Sequence, residues 1–183
     1  MNVALRQPRR VTFDEWLAFE ETSEQRHDLV NGVIFAMSDS SDRHNLICGN
    51  LFLLVAGPLL GKCQTFSGMM KLEAEHQADG DSYYPDLMVS CSPTDRERLF
   101  RKKPVLLIEV LSPSTEAVDR GTKYNSYIQI PSLQEYVLIA QDVPQIEIMR
   151  RRAHGGRSSC SWRTRSSSKA CSSEFPQPRS TTR

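Results

Sequence analysis

The stretch Pro104–Thr115, PVLLIEVLSPST, decides how this chain folds. Val105–Ile108 is a continuous apolar run. Glu109 interrupts it, Val110 and Leu111 resume it, and Ser112-Pro113 stops it. A short apolar run bounded by prolines reads as a strand buried on both faces. A lone acid in such a strand is costly unless it is paired, protonated or bound to a metal. Glu109 therefore needs a partner, and other parts of the chain must supply it.

The segment that follows, STEAVDRGTKYNSYIQI (114–130), reads as a helix. Thr115 is its candidate cap, Glu116 and Asp119 suit its first turn, and Val118, Tyr124, Tyr127 and Ile128 form an apolar stripe. Pro131 ends it. QEYVLIA (134–140) is a second buried strand, and PQIEIMR (144–150) begins a last one. A helix between two strongly apolar strands implies a crossover in a mixed sheet. Upstream, Thr12 and Glu15 in TFDEW form a capping box that starts a helix. HDLVNGVIFAM (27–37) is a hairpin around Asn31-Gly32. HNLICGNLFLLVAGPLL (44–60) is a helix packed into the core, capped by Ser41 or Asp42 and bent or ended at Gly57-Pro58. CQTFSGMMKLEA (63–74) reads as a strand kinked at Gly68, YYPDLMVSC (83–91) as a short strand, and SPTDRERLFRKK (92–103) as an exposed, charged connection. The fold class is α/β, with a mixed β-sheet flanked by α-helices.

The 183 residues are 39% hydrophobic and 25% charged, the profile of an ordinary globular domain. The longest apolar stretch, Leu51 to Leu60, is too short to span a bilayer, and MNVALRQPRRVTF lacks the apolar centre of a secretory signal. A cytoplasmic protein with no membrane role is expected. The five cysteines are widely spaced without a C-x-x-C pair, so buried free thiols are expected rather than a zinc site or a disulfide framework. Charge is unevenly distributed. Arg150–Arg183 holds nine Lys and Arg against one acid, which leaves −7 on residues 1–149. The boundary expected from this is a domain over 11–149 and a basic, Ser/Arg-rich tail over 150–183. Three readings of the tail stay open: a disordered arm that touches nucleic acid, a solvated terminus without a role, and a reading-frame shift in the source gene.

Asp86 starts one strand and Glu109 ends another, 23 residues later. If those strands are neighbours, both carboxylates can converge on one Mg²⁺ (or Mn²⁺), which accepts one or two protein carboxylates and keeps positions for water and phosphate. The alternative is structural: Asp86 forms a turn after Pro85, and Glu109 pairs with a nearby Lys or Arg.

YYPDLMVS and PVLLIEVLSPSTEAVDRGTKYNSYIQIPSLQEYVLIA, with TFDEWLAFEE and HDLVNGVIFAMSDSSDRHNLICGNL before them, resemble the Uma-two family of endonucleases, which has the restriction-endonuclease-like, PD-(D/E)XK, fold. The resemblance covers roughly residues 11–149. It implies metal-dependent hydrolysis of phosphodiester bonds in nucleic acid, with DNA as the expected partner and a homodimer by analogy with the fold. Asp86 matches the first acid and Glu109 the second, and these two are the implied metal ligands. Leu111 stands where the motif carries Lys, and Lys123 on the next helix fits as its replacement, with an ion pair to Asp119 as its structural alternative. Asp28 stands where relatives have Glu, and His44 at the start of the core helix is a candidate proton shuttle or phosphate contact. Tyr127 reads as packing with a polar tip. RERLFRKK offers five basic residues to a phosphate backbone or, equally, to solvent.

Overall fold

A computed structural model describes residues 9–74 and 80–151. The basic tail beyond Arg151 and residues 75–79 lie outside the described residues, so the three readings of the tail are not addressed by it. Among the described residues, ten strands form two mixed five-stranded sheets. The first has the order β2-β1-β5-β4-β7, with β1 His27–Val30, β2 Val33–Ala36, β4 Lys71–Ala74, β5 Asp81–Tyr83 and β7 Phe100–Arg101. The second has the order β10-β9-β8-β6-β3, with β3 Gln64–Ser67, β6 Leu87–Ser90, β8 Pro104–Leu111, β9 Glu135–Ala140 and β10 Ile146–Arg150. The architecture is the expected α/β one, divided between two sheets.

The division follows from two backbone breaks. The segment read as one strand kinked at Gly68 is β3 in one sheet and β4 in the other. The chain crosses back at Tyr84-Pro85-Asp86, between β5 and β6. The crossings touch: a Cβ on Gly68 would stand 3.7 Å from the Pro85 carbonyl oxygen and 3.8 Å from Asp86 Cα.

The opening stretch is β8, hydrogen-bonded to β6 on one side and to β9 on the other. The β8–β9 pair is parallel, as the crossover requires. Leu106 and Ile108 face a cluster that α2 (Asp42–Leu59) covers with Leu51, Phe52, Val55 and Leu59. Leu107 and Leu111 point the other way, into the main core with Leu72, Tyr83, Tyr127, Tyr136 and Leu138. Glu109 lies between Leu107 and Leu111 on that same face. The Asn31-Gly32 hairpin forms as read, with both residues at positive φ (49° and 74°). The Thr12/Glu15 capping box starts α1 (Phe13–Thr22).

Three expectations need correction. First, α2 is not enclosed by core: His44 is its one buried residue, while Leu46, Leu53 and Leu54 are exposed, because the sheet covers one side of a helix that is apolar all round. It runs through Pro58 to Leu59, since a proline in a last turn forfeits little beyond its own N–H bond. Second, Cys63 and Cys91 form a disulfide, placed by the β3–β6 register that sets Gln64 opposite Ser90. Third, the charged connection is partly internal. Asp95 is buried and accepts hydrogen bonds from Ser90 Oγ and the Lys102 and Lys103 amides, and Arg101 is buried with its guanidinium over the Phe66 ring. Among the described residues no helix is long and apolar enough to cross a membrane.

Candidate active site

Asp86 stands where the chain enters β6. Leu87 pairs with Ile108 in the antiparallel register, which brings Asp86 opposite Glu109. Backbone amides tie the two acids together: the Val110 amide donates to Asp86 Oδ2 (2.7 Å) and the Asp86 amide to Glu109 Oε2 (3.4 Å). The neighbouring strands proposed from sequence therefore exist, and they carry the two carboxylates side by side.

Glu109, 2% exposed, has protein partners. Its Oε1 accepts hydrogen bonds from Lys123 Nζ (3.2 Å) and from the Tyr127 hydroxyl (2.9 Å). Both donors come from the segment after β8, which is less regular than its sequence pattern. A short α3 (Glu116–Val118) passes into a π-type turn over Asp119–Lys123 and then α4 (Tyr124–Tyr127). Thr115 does not cap α3 by a side-chain bond to the helix; its hydroxyl accepts from the Ser112 amide instead. The wide turn directs both Asp119 and Lys123 inward, and π turns of this kind recur at functional sites. Lys123 Nζ also lies 3.0 Å from Asp119 Oδ1, so the ion pair weighed as its structural alternative is present, alongside the contact to Glu109. The Tyr136 hydroxyl donates to the Asp119 carbonyl, and the rings of Tyr83, Tyr127 and Tyr136 meet edge to face above the cluster.

Asp28, on β1, accepts a hydrogen bond from the Tyr84 amide (3.2 Å), just before Pro85-Asp86. It thus fixes the backbone that leads into Asp86. His44 enters from the first turn of α2, which Ser41 caps through the His44 amide. Its Nε2 is 3.2 Å from Asp86 Oδ2, and its Nδ1 is 3.5 Å from Cys48 Sγ. All five sequence-derived residues converge on this region.

The electrostatics follow from burial and charge imbalance. Burial pushes Glu109 well above the usual carboxylate range, and Asp119 and Asp86 add to that against the pull of Lys123. Burial likewise raises Asp28, with Lys123 opposing. For Lys123, burial acts to lower the value, but Glu109, Asp119 and Asp28 outweigh it and hold the ammonium well above its ordinary range. Lys123 is therefore a permanent cation. The hydrogen bond to Asp86, then that to Cys48, pushes His44 up to about 10, so the imidazole is protonated at neutral pH. Burial keeps Tyr127 and Tyr136 neutral and available as donors.

Asp28, Asp86, Glu109 and Asp119 thus face two cations, Lys123 and His44, so the fully ionised cluster has an excess of negative charge equal to one divalent ion. Asp86 and Glu109 supply hard oxygen donors, the type Mg²⁺ requires. The residues present fit such an ion. Sequence reading missed Cys48, although its place four residues after His44 on one helix puts the two on the same side. It also missed Asp81, which is buried and accepts from the Asn31 amide, the Tyr83 hydroxyl and Ser126 Oγ; nothing in its local sequence marks it.

Comparison with known proteins bears on the family and the fold. Residues 12–176 match the family model Uma2, described as "Putative restriction endonuclease". Two uncharacterised proteins of Synechocystis sp. (strain PCC 6803) are similar over 144 residues each: slr1290 at 34% identity, covering 78% of this chain and 75% of its own length, and sll1609 at 35%, covering 75% and 78%. A crystal structure from Anabaena variabilis, described as a "putative nuclease belonging to DUF820", superposes with a TM-score of 0.62 at 20% identity, covering 76% of this chain and 79% of that one. It shares the fold. With the family model spanning most of its length, the chain belongs to the Uma2 family.

Proposed function

We propose that this chain is a metal-dependent endonuclease that hydrolyses phosphodiester bonds of DNA, with Mg²⁺ (or Mn²⁺) held by Asp86 and Glu109. The observation that carries the reading is the Asp86–Glu109 pair on adjacent strands beside the buried ammonium of Lys123. The descriptions of the family and of its solved structural neighbour point in the same direction. A bound divalent ion would acidify a water and offset charge on the phosphate. The chain's own groups supply the rest. Lys123 brings a fixed positive charge against the transition-state oxygens. Tyr127 orients Glu109, and Asp28 positions the approach to Asp86. His44, protonated beside Asp86, is placed to donate a proton or contact a phosphate. Arg96, Arg98 and Lys103 are exposed on the connection to β8 and offer local phosphate contacts within a segment, residues 1–149, whose net charge is −7. A homodimer in the cytoplasm, with its catalytic domain over residues 11–149, completes the proposal.

A second reading has one observation in its favour: Lys123 already engages two carboxylates, as a purely structural counter-ion does. The chain would then be a non-catalytic, nucleic-acid-binding member of the fold. Nicking of supercoiled plasmid in Mg²⁺ or Mn²⁺ separates the two. The enzyme reading expects nicking that falls at least about a hundredfold in Asp86→Asn and Glu109→Gln. DNA binding that persists in both variants, with no turnover in any protein, supports the second reading.

A further inference from the structure

His44, Cys48 and Asp86 each offer one ligand atom to a common point, the atoms lying within 4.8 Å of one another. We propose that they form a second, overlapping site for a borderline-soft divalent cation of the Zn²⁺ type, and that its occupancy withdraws Asp86 from the hard-cation pair and inhibits the enzyme. The regulatory half rests on the function proposed above; the binding half does not.

The donor chemistry sets the class of ion. Mg²⁺ takes oxygen ligands, whereas an imidazole, a thiolate and a carboxylate together are the ligands of Zn²⁺ and Co²⁺. His44 and Cys48 stand at i and i+4 on α2, the spacing by which one helix presents two ligands to one ion. The imidazole lies between the other two side chains, with Nε2 3.2 Å from Asp86 Oδ2 and Nδ1 3.5 Å from Cys48 Sγ. Ligands at ordinary zinc bond lengths are about 3.3–3.8 Å apart in a tetrahedron, so the set, now within 4.8 Å, closes when the imidazole turns to offer one nitrogen and the Cys48 and Asp86 side chains move in toward it. Binding displaces the imidazolium proton of His44; thiolate and carboxylate then neutralise the ion, and three protein ligands leave the fourth position for water or a phosphate oxygen. His44 is buried, but Cys48 and Asp86 are partly exposed, so solvent reaches the site. Cys48 is the free cysteine among the described residues, the disulfide taking Cys63 and Cys91. Asp86 Oδ2 is also the atom that the Val110 amide fixes beside Glu109, so the two sites share a ligand and compete.

The test uses Co²⁺ as the probe on the full chain, without added thiols, in a Cys160→Ser/Cys171→Ser background that removes the remaining thiols. One equivalent should give a thiolate-to-cobalt charge-transfer band, bleached by Zn²⁺ and lost in Cys48→Ser. The band should survive in Glu109→Gln, because Glu109 belongs to the hard-cation pair alone. In the parent, Zn²⁺ should raise the Mg²⁺ concentration needed for half-maximal nicking. No band in the parent, or a band that persists in Cys48→Ser, overturns the soft-cation site whatever the Mg²⁺ result. A normal band together with no Mg²⁺ binding overturns the nuclease reading and leaves this site standing. A normal band with Zn²⁺ leaving the Mg²⁺ requirement unchanged overturns the regulatory half.

Discussion

Replacing Lys123 with Met should expose how far the site depends on one buried cation. The ammonium lies 3.2 Å from Glu109 and 3.0 Å from Asp119, and all three side chains are almost fully buried. At an effective dielectric constant of about 20, each contact is worth roughly 5 kcal/mol before desolvation. Desolvation of the three ions offsets most of that, but removing one partner of a buried pair leaves uncompensated charge and costs about 3–5 kcal/mol. Glu109 can limit the damage by taking up a proton, since burial already raises it. The cost should therefore lie near the lower end, about 3 kcal/mol of the roughly 5–15 that a domain of this size has. The assay is urea unfolding in EDTA at pH 7.5 and pH 5.5. The deficit of Lys123→Met should shrink at the lower pH, where protonation of Glu109 is easier. Adding Glu109→Gln should recover part of the loss, as removing both partners is milder than stranding one. A variant within about 1 kcal/mol of the parent at pH 7.5, with no recovery in the double variant, would refute the claim that Lys123 is the partner of the buried acid.

Other consequences can be read from the same structure. Gly68→Val should displace Asp86, because even a Cβ at Gly68 stands 3.7 Å from the Pro85 oxygen; nicking should fall more than stability, whereas Gly68→Ala should be nearly silent in both assays. Reducing Cys63–Cys91, which closes a separation of 28 residues, should cost about 3–4 kcal/mol and lower Tm; an unchanged Tm on reduction would contradict the linkage. In metal-free buffer, His44 has a folded value pushed up to about 10 from an ordinary 6.5, so its stabilisation is complete below pH 6.5 and lost as pH rises toward 10. Discounted for partial solvent contact, the loss should be at most about 2 kcal/mol, seen as the difference between parent and His44→Gln across that window.

The features legible in the sequence were those set by local chemistry. The Asn-Gly hairpin, the Thr12/Glu15 box and the apolar strands around the helix after Glu109 each carry their own signal. The Asp86–Glu109 pair was legible as a candidate because both acids sit in strong strand sequences, and the fold was legible through the resemblance of the surrounding strings to the Uma2 family. What long-range packing decides was not legible. In the two-sheet division the crossings at Gly68 and Pro85, 17 residues apart in sequence, lie against each other. The Cys63–Cys91 bond depends on the β3–β6 register, which no cysteine spacing encodes. The exposed leucines of α2 look identical in sequence to the half-buried ones that pack on the sheet, because the apolar pattern does not say which side the sheet covers. The π turn at Asp119–Lys123 was hidden for a related reason: a regular helical repeat was assumed where the chain widens by one residue to bring both charges inward.

Whether Asp86 and Glu109 hold a catalytic divalent ion is decided by calorimetric titration of Mn²⁺ into the protein, in parent and Glu109→Gln, with a non-cleavable DNA duplex present. Saturable binding in the parent and its loss in the variant are the expected outcome. No binding in the parent, or equal binding in both proteins, would mean that Glu109 is a structural acid held by Lys123 and Tyr127.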